Sequence, residues 1–200
     1  RRRHTRYGTV TGVQTCALPI YNVIGKTVKL MNSKQMEILK VSKEPIEVRE
    51  RYGNTNFGKG CLMARRLVEI GVPFVEVDLG GWDNHANIFP TLQDNKLPEL
   101  DKAMSALISD LNDRGLLETT AIIWMGEFSR TPNINNNGGR DHWARSWSVV
   151  VGGANFSKGI VVGETSSDGR EVVGDSYTSQ DLMASVLHSL GISLTTTFTA

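Results

Sequence analysis

Two short clusters in this chain place histidines beside carboxylates. Asp83-Asn84-His85 lies in GGWDNH and Asp141-His142 lies in GRDHW, and together they hold half of the chain's four histidines. Imidazole nitrogens and carboxylate oxygens are the ligands that a zinc-type ion prefers. Residues two apart in an extended segment point the same way, so Asp83 and His85 can converge on one ion. The clusters predict a metal site, and a metal-dependent hydrolase is the leading hypothesis.

Between the two clusters, the motif GEFSRTP supplies a carboxylate and a guanidinium. Glu127 follows the apolar run TAIIWM, so we expect it at the end of a buried strand, where an unpaired charge is costly. It is either a further metal ligand or the ion-pair partner of Arg130 or Arg140. Arg130 is the candidate substrate residue, because a guanidinium can bind two oxygens of an anion. The alternative is that Arg130 only positions its loop.

The histidine clusters have structural alternatives as well. Asp83 and His85 can cap a loop, since polar residues at strand ends often bind the backbone. Asp141 and His142 can orient other ligands without touching the ion. His188 has no acid at ligand spacing, and we expect it to be an ordinary helix residue.

Three segments have the apolar spacing of helices. Residues 57–70 and 97–111 repeat apolar side chains every three or four positions, which is typical of amphipathic helices. Thr178 and Asp181 form a sequence pattern that resembles a capping box, so a third helix is expected to continue to residue 190. These helices lie before, between and after the candidate ligands.

Apolar runs between the helices predict strands. Residues 74–79 have strand composition, and residues 120–125 and 147–151 are expected to be buried strands. Two short extended segments within residues 155–177 predict a hairpin, and residues 133–139, NINNNGG, predict a mobile loop. The alternation of helices and strands favours an α/β fold with a mainly parallel sheet covered on both faces. Both clusters would then follow strand ends, where such sheets bind ligands.

Four ordered motifs resemble a known family. FGKGCLMARRLVEIGVPFVEV, GGWDNH, GEFSRTP and GRDHW together are similar to DUF1501, an uncharacterised bacterial sulfatase-like family, from about Glu44 to Ile192. The segment ELDKAMSALISDLNDRGLLETTAIIWMGEF resembles a helix and strand shared by sulfatases and the alkaline phosphatase superfamily. The resemblance implies a three-layer, mainly parallel α/β fold of alkaline phosphatase-like type, truncated here at the N-terminus and at the C-terminus.

The resemblance also implies an activity and a ligand set. In the wider superfamily, two metal ions flank a nucleophilic Ser, Thr or formylglycine, and the cations offset the charge of a phosphate or sulfate ester. The ester-binding residue carried over is Arg130. The metal ligands carried over are Asp83, His85, Glu127, Asp141 and His142. Zinc is the first expected ion, with calcium and manganese as alternatives. We expect the nucleophile to precede this fragment, so the catalytic residue is unassigned and the fragment itself is expected to be inactive.

This chain departs from the superfamily pattern at two ligands. Asp83 and His85 are separated by one residue where the superfamily often has three, and Glu127 replaces a shorter Asp and has no His after it. The alternative function is therefore a non-catalytic, exported binding protein that retains the hydrolase fold. The family resemblance implies a periplasmic or cell-surface location, and a small-molecule or polysaccharide phosphate or sulfate ester as the partner.

Composition bounds the remaining function classes. The chain has 200 residues, 40% hydrophobic and 22% charged, which is typical of one globular domain. Residues 1–20 resemble translated sequencing-adapter read-through and are set aside, so the domain is expected to span 21–200. Setting aside Arg1, Arg2, Arg3 and Arg6 leaves 18 basic and 21 acidic residues, a net charge of −3, and we expect no nucleic-acid partner. The sequence shows no signal peptide and no apolar run long enough to span a bilayer.

Overall fold

A computed structural model describes residues 23–29, 31 and 34–197 and divides the chain into two compact units. The segment 1–20 that was set aside from the sequence lies outside the described residues. The first unit comprises residues 1–43. In it, residues 23–29 form helix α1, and short 3-10 helices cover Lys34–Leu39 and Val41–Lys43. Lys40 and Lys43 both pair with the exposed carboxylate of Glu37.

The second unit, Glu44–Ala200, has a helical core. Helix α2 spans Ile46–Tyr52 and helix α3 spans Asn56–Glu69, where the Thr55 side chain accepts a hydrogen bond from the Gly58 amide and caps the first turn. Helix α4, Ile88–Thr91, leads through a π-helical turn at Leu92–Lys96 into α5, Leu97–Asp113. The buried apolar side chains are Tyr52, Cys61, Leu62, Ala64, Ile88, Leu100, Ala103, Ala106, Leu111, Ala154 and Val186. They come mostly from α3 and α5, so the predicted helices at 57–70 and 97–111 are confirmed.

The strands of this unit form three antiparallel pairs. Strand β1, Ile122–Trp124, pairs with β4, Val150–Gly152. Strand β2, Ser129–Arg130, pairs with β3, His142–Trp143. The predicted hairpin is present as β5, Glu164–Thr165, paired with β6, Val172–Val173. Helix α6, Ser179–Ser189, follows with the predicted capping box, in which Thr178 and Asp181 exchange hydrogen bonds. Each ladder has two strands.

The predicted three-layer, mainly parallel sheet is wrong. All three strand pairs are antiparallel, and none of them joins another in the described part of the chain. Residues 74–79 have no regular secondary structure and no strand partner, and Val77 packs against Gly60 of α3, where an added methyl group would lie 2.8 Å from its Cγ1. Apolar runs indicate extended backbone, whereas the partner and direction of each strand depend on contacts distant in sequence.

The strands predicted as buried are also partly exposed. Ile123 and Trp124 in β1 are 37% and 41% exposed, and Val150 in β4 is 47% exposed. A two-stranded ladder has no third strand and only one covered face, so its apolar residues remain half in solvent. Among the helices of the described residues, none is long and apolar enough to cross a lipid bilayer.

Candidate metal centre

Two loops meet through their backbones and bring the histidine clusters together. Ala86 and Gly138 form an isolated β-bridge, and the Arg140 amide donates to the Asn84 carbonyl oxygen at 3.0 Å. At Gly139 an added Cβ would lie 2.1 Å from the His85 carbonyl carbon. Glycine is therefore required at 139, because any side chain would push the two loops apart.

Asp83 is the common partner of the two histidines. Its Oδ1 lies 3.1 Å from His85 Nε2 and 2.9 Å from His142 Nε2. The other ring nitrogen of His85, Nδ1, lies 2.8 Å from Asp141 Oδ1. The two imidazole centroids are 5.1 Å apart. Both Nε2 atoms thus face one carboxylate oxygen, and Asp141 holds His85 from the opposite side.

Three of the five predicted ligands form a group that could hold one ion. Among the described residues, ligand atoms of Asp83, His85 and His142 all lie within 4.8 Å of one another. Asp141 stands outside this group with its oxygen on His85 Nδ1. Glu127 is 63% exposed and lies 3.4 Å from Arg130 Nη2. Asp141 and Glu127 are therefore not part of the group. Asp141 contacts its member His85, and Glu127 contacts Arg130, which pairs with Asp83.

Arg130 lies on the same face as His142, because the two residues are directly opposite each other in the β2–β3 pair. Its Nη2 is 3.2 Å from Asp83 Oδ1, and its guanidinium carbon lies 5.0 Å from the centroid of the Phe128 ring. The side chain is only 17% exposed. Within the described part of the chain, its Nε and Nη1 are buried and have no hydrogen-bond partner. Buried donors of this kind favour an anionic oxygen as their missing partner.

The charges in the cluster shift each other's protonation. The hydrogen bond from His142, together with the positive charge of both histidines and of Arg130, lowers the pKa of Asp83. Hydrogen bonds from His85 and Asn135 lower the pKa of Asp141. The hydrogen bond to Asp141 and the negative charge of both carboxylates raise the pKa of His85. The cluster therefore balances cationic and anionic groups at a site where about half of each side chain is in solvent.

The chain matches one protein family over most of its length. A family model described as a protein of unknown function, DUF1501, matches residues 17–200. The chain belongs to the DUF1501 family. The match begins at residue 17, inside the segment 1–20 that was set aside from the sequence. No curated protein and no solved structure matches the chain significantly.

Two residues near the DUF1501 cluster were missed from the sequence. Phe128 lies between Arg130 and His142, with its ring centroid 4.8 Å from that of His142. Asn135 bridges the two loops through both ends of its side-chain amide. The sequence gives no spacing signal for a single Asn within NINNNGG, and Phe128 is one of the chain's six phenylalanines. Their contacts arise only when the loops meet.

Proposed function

We propose that this DUF1501 protein is a metal-dependent hydrolase of phosphate or sulfate esters. The observation that carries the proposal is the convergence of Asp83, His85 and His142, with their ligand atoms within 4.8 Å of one another. The two nitrogen ligands and one oxygen ligand match the set that zinc takes in catalytic sites. The motif resemblance to sulfatases supports the same ester class. The proposal concerns the chemistry of the site and does not depend on a parallel sheet.

The residue spacing fits an ion of this size. Tetrahedral bonds of about 2.0–2.1 Å place ligand atoms about 3.3 Å apart. Asp83 Oδ1 lies 3.1 Å from His85 Nε2 and 2.9 Å from His142 Nε2, so each of these two pairs needs to separate by only a few tenths of an ångström. The ligand atoms of the two histidines lie within 4.8 Å of each other. Asp83, His85 and His142 would hold the ion, and when bound it would act as a Lewis acid toward an ester oxygen.

The residues around this set have complementary tasks. The carboxylate of Asp83 and the two imidazoles hold the ion, and Asp141 orients His85 through Nδ1. Arg130 has two buried nitrogens, Nε and Nη1, without a hydrogen-bond partner, and these can donate to a second anionic oxygen of the ester. Glu127, which is 63% exposed, pairs with Arg130 Nη2 at 3.4 Å. The attacking group is left unassigned.

The direct test removes the carboxylate that the histidines share. Chelator-treated protein is loaded with zinc, manganese or calcium, bound metal is counted by elemental analysis, and hydrolysis of 4-nitrophenyl phosphate and 4-nitrophenyl sulfate is followed. We expect one zinc per chain and an affinity that Asp83→Asn lowers by about 100-fold or more, because a ligand is lost. The matched control Asp78→Asn removes the same charge five residues earlier in the same irregular segment and should bind as the wild type does. Equal zinc binding by Asp83→Asn and the control would contradict the proposal.

The alternative is a metal-containing binding protein without turnover. The observation that favours it is exposure, because the side chains of Asp83, His85 and His142 are 56%, 49% and 55% exposed. Catalytic sites usually exclude water from the reacting atoms, whereas an open site suits a large ligand such as a sulfated polysaccharide. A periplasmic or cell-surface location, which the family resemblance implies, is proposed for both functions. Stoichiometric zinc with tight binding of a sulfated polysaccharide and no ester hydrolysis would favour it.

A further inference from the structure

Asn135 connects the loop that carries His85 to its own loop through both the oxygen and the nitrogen of its side-chain amide. Its Oδ1 accepts hydrogen bonds from the amides of Asn137 and Gly139, both at 3.0 Å. Its Nδ2 donates to the His85 carbonyl oxygen at 3.0 Å and to Asp141 Oδ1 at 3.1 Å. One half of the amide thus shapes its own loop, and the other half contacts the candidate metal centre.

The orientation of this amide is fixed by its neighbours. Backbone N–H groups can only donate, so the atom that faces Asn137 and Gly139 must be the oxygen. The nitrogen must then face the His85 carbonyl and the Asp141 carboxylate, which both accept. All four contacts are satisfied in one orientation, and the flipped amide would lose every one of them.

The contact with Asp141 determines how His85 is presented. Asp141 Oδ1 receives the Asn135 amide and lies 2.8 Å from His85 Nδ1. The contact of Nδ1 with Asp141, at 2.8 Å, is a hydrogen bond and is shorter than the 3.1 Å ion-pair contact of Nε2 with Asp83. It therefore favours the neutral tautomer with the proton on Nδ1, in which the lone pair of Nε2 is available to an ion. His85 Nε2 is the atom that faces Asp83 Oδ1. Asn135 therefore acts on Nε2 through two hydrogen bonds in series.

We propose that Asn135 is a positioning residue of the metal centre, which holds Asp141 in place so that His85 offers Nε2 to the ion. This inference rests on the proposed metal centre and adds a residue to it. Asn135 does not touch the ion, and its effect is carried by the geometry of Asp141 and by the tautomer of His85.

The test exploits the two halves of the amide. Asn135→Asp keeps an oxygen for the Asn137 and Gly139 amides, but it turns the donor facing Asp141 into an acceptor that repels it. Co²⁺ is the probe, and its visible absorption reports both affinity and ligand geometry. We expect Asn135→Asp to weaken Co²⁺ binding about 10- to 100-fold and to alter the spectrum, as loss of a supporting contact does in metal sites.

Whether Asn135→Asp weakens or strengthens Co²⁺ binding distinguishes a positioning role from an effect of the added negative charge. A new carboxylate near a cation site would strengthen binding if only its charge mattered. The matched control Asn136→Asp places the same charge on the next residue, which is exposed, and should bind Co²⁺ as tightly as the wild type or slightly more tightly. Wild-type affinity and spectrum in Asn135→Asp would overturn the proposal. If circular dichroism shows that this variant is unfolded, Asn135→Ala removes the amide without adding charge and is expected to weaken binding in the same direction.

A metal-free measurement separates this inference from the proposed function. The imidazole ¹⁵N spectrum of chelator-treated protein, recorded at alkaline pH where the ring is neutral, reports the tautomer of His85. We expect the Nδ1–H form in the wild type and in Asn136→Asp, and a mixture of tautomers in Asn135→Asp. If the wild type binds no Co²⁺ but the tautomer changes as expected, the metal proposal fails, and what stands is that Asn135 positions Asp141 and through it sets the tautomer of His85. An unchanged tautomer in Asn135→Asp overturns the positioning role.

Discussion

Asp83 is the residue on which the cluster depends, because a single oxygen serves three neighbours. Oδ1 lies within 3.2 Å of nitrogens from His85, His142 and Arg130. In the metal-free protein these contacts offset the mutual repulsion of three groups that can all carry positive charge. When an ion binds, the same oxygen becomes a ligand. Proton and metal therefore compete for one set of atoms.

The metal-free cluster should make stability depend on pH. The pKa of His85 is raised above its ordinary value of 6.5, first by the hydrogen bond to Asp141 and then by the negative charge of Asp83 and Asp141. A raised pKa stabilises the folded state fully below the unfolded value, and this contribution is lost as the pH rises through the folded value. The pKa of each carboxylate is lowered from 3.8, so their contribution is present above 3.8 and is lost as the pH falls through the lowered values.

The cluster should stabilise the folded protein most at pH values between the lowered pKa of the carboxylates and the raised pKa of His85. Urea unfolding of chelator-treated wild type and His85→Gln should differ most in mildly acidic solution, with the wild type more stable, and the difference should shrink as the pH rises above 6.5. The control His188→Gln removes an exposed helix histidine and should show no such dependence. A gap between wild type and His85→Gln that widens above neutral pH would contradict the assignment of His85 to this cluster.

At the residue scale, the sequence predicted the candidate ligands but missed the residues that contact them. Asp and His residues close together in two clusters were sufficient to single out Asp83, His85 and His142 as candidate ligands, because imidazole and carboxylate groups are what a zinc-type ion prefers, and the structure brings the ligand atoms of these three within 4.8 Å of one another. Asn135 and Phe128 carry no such signal, since their roles depend on two loops approaching through Gly139. The separate positions of Asp141 and Glu127 could not be predicted either, because side-chain directions depend on loop conformation.

At the scale of elements, a buried ion network joins the helices of the core. Arg65 in α3 is 2% exposed and pairs with Glu44 at 2.9 Å, with Glu69 at 2.8 Å and with Asp110 in α5 at 3.1 Å. The Tyr52 hydroxyl in α2 donates to Asp110 at 2.9 Å. Each buried charge has a partner of opposite sign, so the network joins three helices through ion pairs.

Removal of one member should therefore be costly. Asp110→Ala leaves the Arg65 guanidinium and the Tyr52 hydroxyl without their shared acceptor, and we expect the free energy of unfolding to fall by about 3–5 kcal/mol. Asp113→Ala removes an exposed carboxylate from the last turn of the same helix and should change it by no more than about 0.5 kcal/mol. Urea unfolding followed by circular dichroism measures both values. Similar small losses in the two variants would mean that the network is dispensable.

Helices and strands were not equally predictable from the sequence. Helices α3, α5 and α6 were found because their apolar period and caps are local signals. The strand segments at 120–125 and 147–151 were found near β1 and β4, but their antiparallel pairing was not, because it brings together residues such as Ile122 and Gly152 that lie far apart in the chain. The expectation of a parallel sheet came from the order of elements, and that order does not specify strand direction.

At the scale of the whole second unit, the candidate metal centre joins segments distant in sequence. Asp83 and His142 are 59 positions apart, and α5 and the β1 strand lie between them in the chain. An ion bound by both would link the loop after residue 79 to strand β3. Because the unfolded chain cannot present these ligands together, binding must favour the folded state.

Metal should consequently raise the thermal stability of the protein. An ion that binds only the folded state adds about 2.7 kcal/mol at a free concentration 100 times its dissociation constant, which raises the Tm by about 5–11 °C for a chain of this size. Scanning calorimetry with and without zinc measures the rise. Asp83→Asn should abolish the rise because it removes the oxygen that the two histidines share, whereas Asn136→Asp should retain it. The same rise in Asp83→Asn would place the stabilising ion outside the pocket of Asp83, His85 and His142.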